Sequence, residues 1–281
     1  MLVARDYTFV AVNRLLGVIE AYYDAVPRAD AVVEEIGPFT LFAKSGAGFS
    51  YYARPALGAL RFSKFDVERV CARQRELGIP QAFEWIAETT PPLAAVLEAV
   101  GLDVSRHPLM VLDAPGSYQV PLGVEIRLAA ESDDFALLRA IAHVAFGAPG
   151  TRVGSAGVDA RDAVVEHDAE SVAFQLHRLR TGRTITAIAL VGAEPVGLGS
   201  HQPVGGVTEV VGVAVLPVFR RRGIATALTG FLIDDSLKRG MKTVFLSAGD
   251  ADVARVYERI GFREIATACA AEPVVSVYVD A

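Results

Sequence analysis

The chain has 281 residues, of which 52% are hydrophobic and 21% charged, with a formal net charge of −6. This composition is typical of a folded globular protein and excludes a disordered chain. No uncharged apolar run reaches the roughly 18 residues of a membrane helix, and no basic stripe offers a surface to nucleic acid, so neither partner is expected. The acidic balance mildly favours a cationic substrate such as an amine.

The positions of cysteine and histidine bear on whether the protein has disulfides or a metal site. Cys71 and Cys269 are far apart, and the five histidines have no metal-ligand spacing. The sequence therefore predicts no disulfide framework and no metal site. Arg5 and Asp6 interrupt the segment that would have to form the apolar core of a secretion signal. We expect a cytoplasmic protein.

The first half of the chain predicts alternating strands and helices. Ser63 and Asp66 stand at capping-box spacing, and Gly78 and Gly101 are helix stops. The predicted elements are strands at 39–44 and 49–53, a helix at 63–77, a strand at 82–87, a helix at 92–100 and a strand at 107–113.

Two turn-rich clusters, at 113–117 and 121–123, predict a linker. We accordingly place one domain at 1–117 and a second at 122–281. The second domain alternates strands with helices, which indicates an α/β sheet. Its predicted elements are strands at 124–128, 185–191, 196–201, 207–216, 243–247, around 265 and at 274–279, and helices at 132–146, partly within 158–180, at 223–238 and at 252–259.

The two halves share a strand–loop–helix–glycine segment. Residues 83–102 align with 243–262, so that Leu97 matches Tyr257 and Gly101 matches Gly261, both at a separation of 160 positions. This similarity predicts a diverged internal duplication.

The segment 213–228 has the clearest chemical signal. A strand ends at Pro217, a turn holds arginines at 220–222, and the small residues Gly223 and Ala225 open a helix. Free backbone N–H groups at a helix N-terminus bind anions, small residues let a phosphate approach the main chain, and arginines add charge-assisted contacts. The pattern predicts a phosphorylated ligand.

Two motifs extend this prediction to a family. Arg220-x-x-Gly223-x-Ala225 resembles the Arg/Gln-x-x-Gly-x-Gly/Ala pyrophosphate motif of the GNAT superfamily of N-acetyltransferases, and a Val-x-Val strand end precedes it at the family spacing. Downstream, Asp250 and the run Tyr257-Glu-Arg-Ile-Gly-Phe262 resemble the second signature, in which asparagine usually stands in place of Asp250. The resemblance covers roughly residues 124–281.

The resemblance implies a fold, a co-substrate and a reaction. The fold would be α/β with two GNAT-like halves, each a mixed sheet flanked by helices, the C-terminal half complete and the N-terminal half shortened. The reaction would move acetyl from acetyl-CoA to an amine of a small molecule or peptide. The implied cofactor-binding residues are Val213, Ala214, Val215, Arg220, Arg221, Arg222, Gly223, Ile224, Ala225, Thr226 and Asp250.

For catalysis, the resemblance implies that Tyr257 protonates the leaving thiolate. Acyl transfer also needs a base, because the amine must attack as the neutral form. Glu209, on the strand before Val213, is the candidate base, with His201 or water alone as alternatives.

The first half lacks an equivalent cofactor loop, and Leu97, in the place of Tyr257, cannot act as an acid. We interpret it as a degenerate GNAT-like half. An acyl-CoA-binding sensor or interaction protein without turnover remains an alternative function, and a homodimer is left open.

Overall fold

The structure, a computed structural model, describes residues 9–44, 46–48 and 51–274. It divides into two compact units: the C-terminal unit holds residues 108–265, and the N-terminal unit holds residues 9–107 and 266–274. This division differs from the predicted one, since the end of the last strand belongs with the first half of the chain. The assignment of residues 1–117 and 122–281 to two GNAT-like domains stays a prediction.

The N-terminal unit has a small antiparallel sheet and a separate strand pair. Strands β1, β2 and β3 pair in that order, while β4 pairs antiparallel with Ala268–Ala271 of the last strand. Aromatic side chains such as Phe39, Phe83 and Trp85 fill its core. Its elements are α1 (Phe9–Ala25), β1 (Ala31–Ile36), β2 (Phe39–Lys44), β3 (Arg54–Pro55), α2 (Lys64–Glu76), β4 (Phe83–Ile86), α3 (Leu93–Glu98) and the first part of β5 (Leu102–Leu112).

Two features of this unit differ from prediction. Helix α1 and strand β1 were not predicted, and the strand expected at 49–53 is replaced by the two residues of β3. Ala53 makes only an isolated bridge to Phe83, while residues 49 and 50 lie outside the described residues. Pro55 explains the short strand, because proline has no N–H to extend a ladder.

The C-terminal unit contains a six-strand order, β5-β10-β9-β8-β7-β6. Only β9 and β10 are parallel to each other among the pairs described here, and the others are antiparallel. Its elements are β6 (Val124–Leu128), α4 (Phe135–Phe146), α5 (Val158–Asp162), α6 (Ala169–Arg180), β7 (Ile185–Val191), β8 (Glu194–Val204), β9 (Val207–Val215), α7 (Ile224–Lys238), β10 (Thr243–Ser247), α8 (Ala251–Glu258) and β11 (Phe262–Pro273).

Helices cover both faces of this sheet. On one face, Gly197 and Gly199 leave room for Leu228 and Leu232 of α7. On the other, α4 and α6 pack against β7 and β8. The predicted α/β class is confirmed. The strand predicted around residue 265 is β11, which ends at Pro273. The strand predicted at 274–279 is not tested, because residues 275–279 lie outside the described part of the chain.

The predicted linker is a packed strap over the C-terminal unit, formed by residues 113–121. The ring of Tyr118 occupies the space above Gly230 of α7, where any added Cβ would collide with it. Its hydroxyl donates to Asp234 at 2.7 Å. The strap is thus held to the helix that follows the arginine-rich turn.

None of the helices described is both long and apolar enough to cross a lipid bilayer.

Candidate functional site

The two parallel strands of the C-terminal unit separate part-way along their length. Strand β10 pairs with β9 at three positions, the last of which joins Phe245 to Glu209, whereas β9 continues to Val215. Gly212 has φ +64°, and the β8–β9 register shifts between Leu198 and Ser200. A bulge of this kind bends a strand. It leaves a gap beside the end of β9.

The backbone of Val213 and Val215 faces this gap. Leu216 N donates to Val196 O of β8 at 2.9 Å, so the polar groups of Ala214, two residues earlier, also point toward β8. The groups of its odd-numbered neighbours then point away from β8, because direction alternates along a strand. The Val215 carbonyl already accepts from Arg220 Nε at 3.2 Å. The groups that an extended ligand could join as an added strand are therefore those of Val213 and the N–H of Val215.

The loop after β9 presents a row of backbone donors. It passes through a 3-10 turn, Pro217–Phe219, and reaches α7 through Arg221 (φ 62°) and Gly223 (φ 82°). No side chain caps α7. Within the described residues, the N–H groups of residues 221–226 have no protein acceptor, and the first backbone bond of the helix is from Ala227 to Gly223. An open helix N-terminus of this kind is an anion site.

The three arginines of this loop are placed differently from one another. The Arg220 guanidinium points inward and donates to the carbonyls of Ala145 and Ala148, each at 2.7 Å. Arg222 lies over the Phe219 ring at 5.1 Å, and both Arg221 and Arg222 are exposed. Positive charge for a phosphate therefore comes from Arg221 and Arg222. The Arg220 side chain instead joins the loop to the end of α4. The sequence did not predict this contact, because its partners are separated by 72 and 75 positions in the chain.

Asp250 caps α8. Its Oδ1 accepts from the Val253 N–H at 2.8 Å. Asparagine and aspartate are both good N-caps, so a carboxylate can replace the family's usual asparagine here without loss of this contact. Its role toward a cofactor stays a prediction.

Tyr257 lies on the inner face of α8 and is 9% exposed. Its ring meets Phe262 edge-on with centroids 6.0 Å apart. Burial raises the pKa of Tyr257 to about 12, so the hydroxyl is protonated at neutral pH and able to donate a proton.

Of the candidate bases, Glu209 is half-buried at the point where β9 leaves β10. Glu209 lies opposite Gln202 in the β8–β9 ladder. Because side chains alternate along a strand, both residues lie on the same face of the sheet as Ser200, which is the face covered by α4. His201 is fully buried, with Nδ1 3.0 Å from Thr208 and Nε2 3.0 Å from Asp235. Because both ring nitrogens are engaged, His201 has none left to serve a substrate.

Residues 136–262, from α4 through α8 to the first residue of β11, match the model of the Acetyltransferase (GNAT) family. The chain carries a GNAT acyltransferase domain. This GNAT domain contains both motifs, the β9–β10 gap and the uncapped helix α7. No curated protein shows a significant match to the chain.

Solved structures agree in fold. A GCN5-related N-acetyltransferase from Kribbella flavida has a TM-score of 0.69 at 20% identity, over 92% of this chain and 96% of that one. A GCN5-related N-acetyltransferase-like protein from Streptococcus suis has a TM-score of 0.52 at 12% identity, over 93% and 97%. A tandem GNAT protein from the clavulanic acid biosynthesis pathway has 0.52 at 15%, over 83% and 78%. The predicted GNAT-like fold is confirmed, whereas the degeneracy of the first half stays a prediction.

Proposed function

We propose that the chain is an N-acetyltransferase that moves an acetyl group from acetyl-CoA to an amine of a small molecule or peptide. The observation that carries the proposal is the run of N–H groups at 221–226, which have no acceptor among the described residues, beside the strand edge at Val213. A diphosphate followed by an extended amide-bearing arm, as in coenzyme A, matches this arrangement of donors and strand edge.

The reaction needs four events. The neutral amine nitrogen attacks the thioester carbonyl carbon, the C–S bond breaks, the amine loses a proton and the thiolate gains one. We assign loss of the amine proton to Glu209, directly or through water, and protonation of the thiolate to Tyr257. The products are an N-acetyl amide and coenzyme A.

The same proposal extends to cellular context. Cys71 and Cys269 are both free and buried, which fits a reducing compartment, and we propose a cytoplasmic location. The acceptor is a small molecule or peptide, and the chain works alone or as a homodimer.

Calorimetric titration of the purified chain with acetyl-CoA tests the co-substrate. We expect one equivalent to bind. A second assay follows release of the free thiol of coenzyme A in the presence of an amine panel. Absence of acetyl-CoA binding would refute the proposal, and binding without amine-dependent thiol release would favour the acyl-CoA sensor.

A further inference from the structure

A cavity of about 150 Å³ lies between α4, α6 and strands β7 and β8 of the C-terminal unit. Pockets that enclose whole drug-sized ligands measure roughly 300–1,000 Å³. This cavity is therefore of a size to hold one group of a substrate. Apolar side chains that include Leu138, Leu179 and Leu198 line part of it.

The charge of the cavity lining has a single sign. Arg139 and Arg178 are its ionisable residues, and no carboxylate lines it. Arg178 is 7% exposed and donates to Thr184 at 2.8 Å, so it contributes positive charge from a fixed position. Asp168, outside the lining, forms an ion pair with Arg139 at 3.8 Å. An anionic guest would therefore compete with this carboxylate for Arg139 and would also be attracted by Arg178.

Two polar atoms at the cavity lack partners within the described residues. Arg139 Nη1 is buried without a hydrogen bond, and the nearest oxygen of Asp168 lies 3.8 Å away, beyond hydrogen-bond distance. The side-chain oxygen of Gln175 is also buried without a partner. Leaving such groups unsatisfied is costly. A carboxylate would accept from Arg139, whereas the Gln175 oxygen is itself an acceptor and would suit a donor group of the same ligand.

The cavity lies next to the proposed reaction centre. Ser200 lines the cavity, and its hydroxyl is hydrogen-bonded to the hydroxyl of Thr186 at 2.8 Å. In the β8–β9 ladder, Ser200 lies opposite Val211. Val211 is followed by the bulge at Gly212, where β9 leaves β10, and Glu209 shares the face of Ser200. A group held in the cavity thus lies on the same face of the sheet as Glu209, the proposed base.

We propose that this cavity selects an amine acceptor that also carries a carboxylate. The carboxylate accepts from Arg139, and a short apolar stem packs on Leu138 and Leu198. The acceptor role rests on the proposed function, whereas carboxylate binding in the cavity can be measured without turnover.

The test compares ligands that differ only in the carboxylate. The intact chain is titrated calorimetrically with 4-aminobutyrate and with butylamine, and with butyrate and its isostere butyramide, in the absence and presence of acetyl-CoA. We expect the carboxylate member of each pair to bind roughly tenfold or more tightly, the scale of a hydrogen-bonded charge. Equal binding within both pairs would overturn the proposal.

Variants locate the effect. Arg139→Gln should abolish the preference for the carboxylate, and Arg139→Lys should retain part of it. The matched control is Arg180→Gln on α6, which removes an arginine that pairs with Glu131 at the surface and should keep the full preference. Should Arg139→Gln fail to fold, Ala142→Leu fills the cavity and should abolish the preference by volume alone. A preference that survives in either cavity variant would overturn the proposal.

Further outcomes of these experiments distinguish failure of the cavity proposal from failure of the proposed function. Acetyl-CoA binding without any carboxylate preference would overturn the cavity proposal and leave the acetyltransferase proposal standing. A carboxylate preference that depends on Arg139, in a chain that binds no acetyl-CoA, would confirm the site and refute the acetyltransferase. Thiol release from succinyl-CoA that depends on Arg139, with no preference among acceptors, would place the carboxylate on the acyl donor and overturn the proposal.

Discussion

Helices α2 and α7 stand at matching places in the two halves, each just before the strand of the repeated segment, but their N-termini are opposite in kind. At α2, Ser63 accepts from the Asp66 N–H at 3.2 Å and Asp66 accepts from the Ser63 N–H at 3.0 Å. At α7, Gly223 provides no side chain, and the first N–H groups have no protein acceptor among the described residues. The capping box of α2 thus occupies backbone N–H donors at its start, whereas α7 leaves its first N–H groups open to a ligand.

The difference fits the prediction that only the second half binds coenzyme A. A reciprocal cap occupies the donors that would hold a diphosphate and adds a carboxylate that repels it. The helix packs equally well in both cases, because the cap affects only its end. We therefore interpret the capped helix, together with Leu97 in the place of Tyr257, as the mark of a half that does not bind coenzyme A.

The largest effect is expected when α7 is given a charged cap like that of α2. Gly223→Asp places a carboxylate at the helix end, and we expect acetyl-CoA affinity to fall roughly 100-fold or more, since like charges within about 4 Å repel by several kcal/mol. Gly223→Asn is the control, because both residues tolerate a positive φ and both cap. Calorimetry on the two variants decides the matter, and an equal loss in both would mean that charge is not the cause.

The second contrast is between Tyr257 and Leu97. Tyr257→Phe should lower turnover by roughly 100-fold with little change in acetyl-CoA affinity, as expected for loss of a general acid. Because burial raises the pKa of Tyr257 to about 12, its deprotonation should cause no fall in wild-type turnover below about pH 11. Steady-state rates across pH test both statements, and unchanged turnover in the variant would make Tyr257 a packing residue.

The two helix-ending glycines offer a smaller contrast. Gly101 (φ 88°) has open space at its Cβ position, whereas a Cβ on Gly261 (φ 99°) would overlap the carbonyl of Ala114 in the strap. Gly101→Ala should cost about 1 kcal/mol for the left-handed backbone, and Gly261→Ala about 3 kcal/mol or more because the strap must also shift. Urea unfolding midpoints measure this difference, and equal shifts would contradict the packing of the strap.

The smallest effect is expected at the capped helix. Ser63→Ala removes one half of the reciprocal cap and should lower the free energy of unfolding by about 1 kcal/mol. Acetyl-CoA affinity should stay as in the unmodified chain. A change of affinity in this variant would contradict the assignment of the binding site to α7 alone.

Local signals allowed much of the fold to be predicted. Strands β7 and β10 have the predicted bounds, and α7 ends at the predicted Lys238. Each of these segments has a strong periodic pattern or punctuation by glycine, which is local information. Helix α1 was not predicted because no acidic residue in its first turn marks its start. Strand β1 is followed by Gly37 and Pro38, but its two glutamates interrupt the apolar pattern.

The candidate site was predictable only where its chemistry is local. The motif placed the donors at 221–226, because helix geometry alone frees them. It did not reveal that the Arg220 side chain bonds to main-chain carbonyls of α4 and the following residues, nor that both nitrogens of His201 are engaged. Those contacts join residues that are distant in sequence or that face each other only after the sheet forms.

Arg220 has a mechanical consequence. Its main chain belongs to the loop proposed to hold the diphosphate, while its guanidinium bonds the carbonyls of Ala145 and Ala148 at the end of α4. Helix α4 also provides Arg139 and Ala142 to the cavity. The loop cannot be displaced without breaking these bonds or pulling the helix with it. One side chain thus ties the loop proposed to hold the diphosphate to the helix that lines the cavity, and we expect movement of either to be resisted by the other.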